Sequence, residues 1–205
     1  MDYKVYSNEE MLARVVRFEE LKDKGIPLMF IDSILPGHQR MNYAVIGDTA
    51  SENPDFEQDV ALRSPHKFQI GMVMAPPGNG PAYHTHNYIE AFIPLTGRWR
   101  FYWGNDPEGP PMGETVIGQW DLISLPPGLW RGFENISTED AWLLGILEEH
   151  EVFAGKDPYW SEKVIQAARS YGFEADAEGR MIKPENYTEL RQQMQVKLLR
   201  KSDPK

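Results

Sequence analysis

One stretch constrains the fold of this chain more than any other: residues 78–97, GNGPAYHTHNYIEAFIPLTG. His84, His86 and Glu90 stand at even offsets, with Tyr88 between them. On an extended strand side chains repeat with period two, so all four project from one face. On a helix His84 and His86 would point about 200° apart, and the helical metal-binding pattern is H-x-x-x-H instead. The spacing therefore predicts a strand carrying two imidazoles and a carboxylate on the same side, a ligand set for a divalent ion. Gly78 and Gly97 bracket the stretch, where tight turns are wanted. A cation would satisfy the three polar groups together; the alternative is a hydrogen-bonded polar cluster with no ion.

Gly78, five residues, His84-Thr85-His86, three residues, Glu90, six residues, Gly97 resembles the first motif of the cupin superfamily with every fixed position filled. A second motif is matched by residues 120–135, WDLISLPPGLWRGFEN, in which Pro126, Gly128 and Asn135 fall in register and Asp121 occupies a position often acidic. Trp120 stands in the opening glycine position, and Arg131 stands where the last metal-binding histidine would be. The resemblance covers residues 78–135 closely and implies a mainly β chain: a cupin-type antiparallel β-barrel (jelly roll) with an N-terminal helix and a C-terminal helical extension. It also implies a metal held by His84, His86 and Glu90, and a homodimer. It specifies no single reaction, because sites are grafted on folds.

The rest of the chain fits one domain over 1–205, with a barrel core at 26–150, an N-terminal helical arm at 1–25 and a C-terminal extension at 151–205. Ser7 and Glu10 form a capping-box pattern ahead of Met11, Val15, Phe18 and Leu21, which predicts one helix ending at Gly25 and Pro27. Runs at 28–33 and 41–46 predict strands, and 47–65 a polar loop over the barrel mouth. Residues 68–74 predict a strand with Phe68, Ile70, Met72 and Met74 on one face. In RWRFYW (98–103) the alternation places Trp99, Phe101 and Trp103 in the core and Arg98, Arg100 and Tyr102 outside. ETVIG, DLISLP and DAWLLGILEE predict further strands. DPYWSEKVIQAARSYGF and TELRQQMQVKLLRK predict helices, the first including Trp160.

Charge and composition narrow the function. With 31 acidic and 21 basic residues the net charge is −10, which disfavours nucleic acid and anionic membranes as partners. The absence of cysteine excludes thiolate metal sites and cysteine nucleophiles. No basic-then-apolar leader and no long apolar run is present, so a cytoplasmic protein is expected. The leading expectation is a metal-dependent enzyme, dioxygenase-like, acting on a small aromatic, keto or carboxylic acid. Iron, manganese, nickel and zinc all suit the ligand set. Arg131 would clamp a substrate carboxylate, or else be a surface or structural arginine; Tyr88 joins it as a catalytic candidate. The alternative function is a non-enzymatic small-molecule binder with weak metal affinity or none. A fourth ligand is sought first at His66, with His38 and His150 as ordinary histidines. A transcription regulator is excluded by the charge and by the absence of appended DNA-binding helices.

Overall fold

Burial along Arg98–Gly104 sets the sheets: Trp99 and Phe101 are fully buried, while Arg98 is exposed and Arg100 pairs with Glu134 at 2.9 Å on the outer surface. That is the alternation expected of a sheet with one face against a core. In the computed structural model, which describes residues 5–47, 53, 60–63, 66–148, 158–177 and 179–199, the main strands form two five-stranded antiparallel sheets. The first takes β1 (Met41–Ile46), β2 (Phe68–Ala75), β9 (Ala141–Glu148), β4 (Glu90–Pro94) and β7 (Ile123–Leu125), in that order. The second takes β10 (Tyr159–Trp160), β3 (His84–Thr85), β8 (Trp130–Asn135), β5 (Arg98–Gly104) and β6 (Gly113–Gly118). Phe92, Leu125, Ala141 and Leu143 of the first sheet meet Trp99, Phe101, Ile117 and Phe133 of the second in one apolar layer. This is a jelly-roll sandwich. The expected barrel is open: among the described residues no ladder joins the two sheets into a closed cylinder.

β2 is buried on both faces. Val73 and Ala75 enter the layer between the sheets, while Met72 and Met74 join Met41, Tyr43 and the terminal segments in a second core. That second core holds α3 (Glu162–Arg169) through Ala168 and α4 (Tyr187–Leu199) through Tyr187, Met194 and Leu198. Tyr187 also donates to the carbonyl of Leu28 at 3.0 Å, tying the two ends of the chain together.

Several local expectations are corrected. The N-terminal helix is broken into α1 (Asn8–Leu12) and α2 (Phe18–Leu21), followed by a 3₁₀ turn at Lys22–Lys24. The Ser7–Glu10 capping box forms as read, but α1 buries none of its residues, so no packing carries the helix onward. Residues 28–33 are not a strand: Ile31–Ile34 is a 3₁₀ turn, because Asp32 is bound from within by Arg40. Trp160 does not begin a helix; it lies in β10, and Ser161 caps α3 after it. The connection after α3 contains a small hairpin, β11 (Glu174–Ala175) and β12 (Met181–Ile182). Most of the loop at 47–65, and His150, lie outside the described residues.

Candidate metal centre

The motif crosses from one sheet to the other. His84 lies in β3 and Glu90 begins β4, so the single strand expected from the spacing is two short strands with a break at residues 86–89. The period-two reading nonetheless selects the right residues. His84, His86 and Glu90 are all buried, and their candidate ligand atoms lie within 4.8 Å of one another. Neighbouring ligands on one ion at about 2.1 Å lie about 3.0–3.4 Å apart, so an ion would draw the widest pair in by roughly 1.5 Å.

The imidazoles are held for ligation. His84 Nδ1 lies 2.6 Å from the Ala82 carbonyl; a carbonyl only accepts, so Nδ1 carries the proton and Nε2 the lone pair. His86 Nδ1 lies 2.8 Å from the Tyr88 hydroxyl, and its Nε2 faces Glu90 Oε1 at 3.5 Å. Fixing one ring nitrogen to present the other is the usual support of a metal-binding histidine. Burial, with the nearby charges of His86 and Arg131, pushes the His84 pKa well below 6.5, which keeps the ring neutral. Burial alone would raise Glu90; the charges of His86 and Arg131 and the Arg131 hydrogen bond outweigh it and hold the carboxyl below its ordinary 4.5.

Arg131 is fully buried, so of the surface and structural alternatives only the structural one is compatible with its position. Its Nε and Nη2 both donate to Glu90 Oε2, and Nη1 donates to the Leu129 carbonyl at 3.0 Å and to Thr85 at 3.4 Å. The guanidinium is turned to Glu90 and does not line the cavity. Glu90 Oε1 is left on the side of the histidines. His66 sits elsewhere, against Phe68 and 3.4 Å from Arg14, and His38 bonds the Gly80 carbonyl; neither approaches the three ligands.

A chain of buried groups missed in the sequence stands behind His84. Arg40 makes two bonds of 2.9 Å to Asp32, and Asp32 Oδ2 accepts from the Ala82 N–H at 2.8 Å, so the residue whose carbonyl orients His84 is itself pinned. No spacing signal could announce Asp32, since it acts from a turn fifty positions away. Trp160 was also missed: it pairs with His84 across β10 and β3.

The cluster opens on a cavity of about 120 Å³ whose walls are mainly apolar, among them Met72, Val73, Phe92, Phe133, Leu147 and Trp160. The second motif forms β7, a turn at Pro126–Gly128 and β8, where Asn135 is buried and ties the carbonyls of Ala75 and Glu139. Both motifs thus span the two facing sheets, with His84, His86 and Glu90 of the first turned inward. The fold is the jelly roll seen in cupins.

No family model and no curated protein matches the chain. Among solved structures it is similar to a putative sugar phosphate isomerase from Acidithiobacillus ferrooxidans, at 19% identity and TM-score 0.47 over 69% of this chain and 78% of that one. It is also similar to a cupin 2 conserved barrel domain protein from Rhodopseudomonas palustris, at 12% identity and TM-score 0.44 over 65% and 74% of the two chains. A structure described under the DMSP lyases RdDddP and RnDddQII matches at 14% identity and TM-score 0.44, over 60% of this chain and 53% of that one. The chain therefore spans about half the length of that last protein. Likeness at this level concerns the fold and not the chemistry.

Proposed function

We propose that this protein is a metal-dependent cupin enzyme acting on a small organic acid, with His84, His86 and Glu90 as the metal ligands. The observation that carries the reading is the convergence of one ligand atom each from His84, His86 and Glu90 beside a largely apolar cavity, each histidine already tied at Nδ1. A bound divalent ion would supply Lewis acidity toward an oxygen-bearing substrate. Two histidines and one carboxylate are the ligand set of many non-haem iron oxygenases, so dioxygenation of a phenolic or keto acid leads, with isomerisation or decarboxylation behind it. Tyr88 keeps His86 in orientation through its hydroxyl. Arg131 holds Glu90 ionised and frees Oε1 for the ion; turning toward a substrate carboxylate would require it to release Glu90. A homodimer joined in part by the exposed apolar residues of the N-terminal arm is the assembly that accompanies this reading.

One observation favours a second reading. The buried Arg131–Glu90 pair already neutralises the carboxylate, which is what a binding protein without an ion would need. Metal content of the purified, metal-loaded protein separates the two. Stoichiometric iron, manganese, nickel or zinc, lost in His84→Ala and His86→Ala, together with oxygen uptake on a phenolic or keto acid, supports the enzyme. Absence of metal after loading, with a small ligand still bound, supports the binder.

A further inference from the structure

The floor of the cavity is laid out by strand register. On the inner face of the first sheet, Gly71 of β2 pairs with Gly145 of β9, which in turn pairs with Phe92 of β4. At Gly71 only the Tyr43 carbonyl lies near a built Cβ, so this place is open, whereas at Gly145 the Phe92 ring packs over the backbone in place of a side chain. The next row reads Gln69, Leu147, Glu90 across the same three strands. Gln69 and Glu90 therefore share a face and a level, two strand spacings or about 10 Å apart.

Gln69 is 5% exposed and lines the cavity, yet among the described residues its side-chain amide makes no hydrogen bond. The amide is not sealed off but reaches the open space of the cavity, so a ligand that covers it has to supply a hydrogen bond in return. The apolar wall between it and the metal ligands, Leu147 and the glycine hollow, offers it nothing. Asn42, on the neighbouring strand and the same cavity, holds the Ile26 carbonyl only at 3.4 Å.

We propose that Gln69 is a specificity-determining residue that hydrogen-bonds an uncharged polar group at the far end of the ligand. The ligand would engage the His84–His86–Glu90 end through its oxygens, run an apolar segment past Phe92 and the hollow over Gly71, and present a carboxamide, carbonyl or hydroxyl to Gln69. A second carboxylate is disfavoured there. The cationic groups nearby are already paired: Arg40 through both Nη atoms to Asp32, only its Nε lacking a partner, and Arg131 to Glu90. This rests on the metal-dependent reading above for the near end of the ligand only.

The test uses the metal-loaded protein and three matched probes: 2-oxoglutaramate, 2-oxoglutarate and 2-oxohexanoate, ending in amide, carboxylate and methyl. Wild type should bind the amide about five- to tenfold more tightly than the other two, the size of one buried hydrogen-bonding group. Gln69→Leu should reverse the order of amide and methyl. Equal binding of amide and methyl by wild type, an amide preference that survives Gln69→Leu, or metal uptake with none of the probes bound would each overturn the proposal. Calorimetry with the metal alone reports separately on the ligand cluster. If no metal binds, the enzyme reading fails, and thermal unfolding of the unliganded protein decides about Gln69. A rise in Tm in Gln69→Leu supports an amide held unsatisfied for a ligand; a fall shows it to be structural and overturns the inference.

Discussion

Trp120 shows what a motif position demands. Its φ of +70° lies in the left-handed region, and it is the one such residue other than glycine among those described. The resemblance places a glycine there, and the backbone is what that glycine would supply. A bulky residue in this region costs about 1–2 kcal/mol, partly offset by the lower chain entropy that a non-glycine residue brings to the unfolded state. Trp120→Gly, at an exposed site, should therefore raise stability by up to about 1 kcal/mol in denaturant melts, with no change in metal binding. Arg131 is the opposite case, a substitution with a partner built in. Arg131→Met leaves Glu90 buried and unpaired, and the metal-free protein should lose about 3–5 kcal/mol. Divalent metal should restore much of that loss, because the ion replaces the missing positive charge. A loss equal with and without metal would show that Arg131 supports the fold and not the ligand set. The sequence marked Arg131 as out of place but could not show its partner, since Glu90 lies forty-one positions away and the pairing exists only once β3, β4 and β8 are assembled.

Short elements around the site were the least legible. Parity along residues 84–90 selected the ligands, yet the chain changes sheets within that stretch, and periodicity carries no information about which sheet receives a strand. Residues 28–33 look like a strand by composition. Burial of Asp32 among apolar neighbours, with Arg40 clamped on both oxygens, overrides that local preference and leaves a 3₁₀ turn. β10 is two residues long and was absorbed into a helical pattern whose real start is the Ser161 cap. The strands Met41–Ile46, Phe68–Ala75, Arg98–Gly104, Gly113–Gly118 and Ala141–Glu148 were legible, but β8 (Trp130–Asn135) was not read as a strand. The turn at Asp32 makes a prediction at this scale. Asp32→Asn keeps the shape but weakens both the Arg40 pair and the hold on Ala82, so metal affinity should fall about 10–100-fold, as it does when a histidine's outer support is removed. The comparison is made at a temperature where circular dichroism shows the variant fully folded. An unchanged affinity there would mean that Ala82 positions His84 without help.

Across the whole molecule, acid is the condition that should unfold it. His84 has a folded pKa well below its ordinary 6.5, so below about pH 6.5 the unfolded chain binds a proton that the folded one refuses. Its contribution is present above that pH and lost as pH falls. Glu90, also lowered, adds the same trend below about 4.5. Unfolding free energy of the metal-free protein should decline from pH 7 toward pH 5, and His84→Gln should flatten the first part of that decline. An identical slope in the variant would remove His84 as the source.

The pairing of β10 with β3 has a consequence for biosynthesis. The strand beside His84 is supplied from residues 159–160, and the core behind it is closed by α4, which reaches back to Leu28. A nascent chain emerging at about 5–20 residues per second makes all three metal ligands early, several seconds before the segments that enclose them. The ribosome thus releases a ligand set whose walls are still being synthesised, and the finished site belongs to the chain only after translation has passed its last helix.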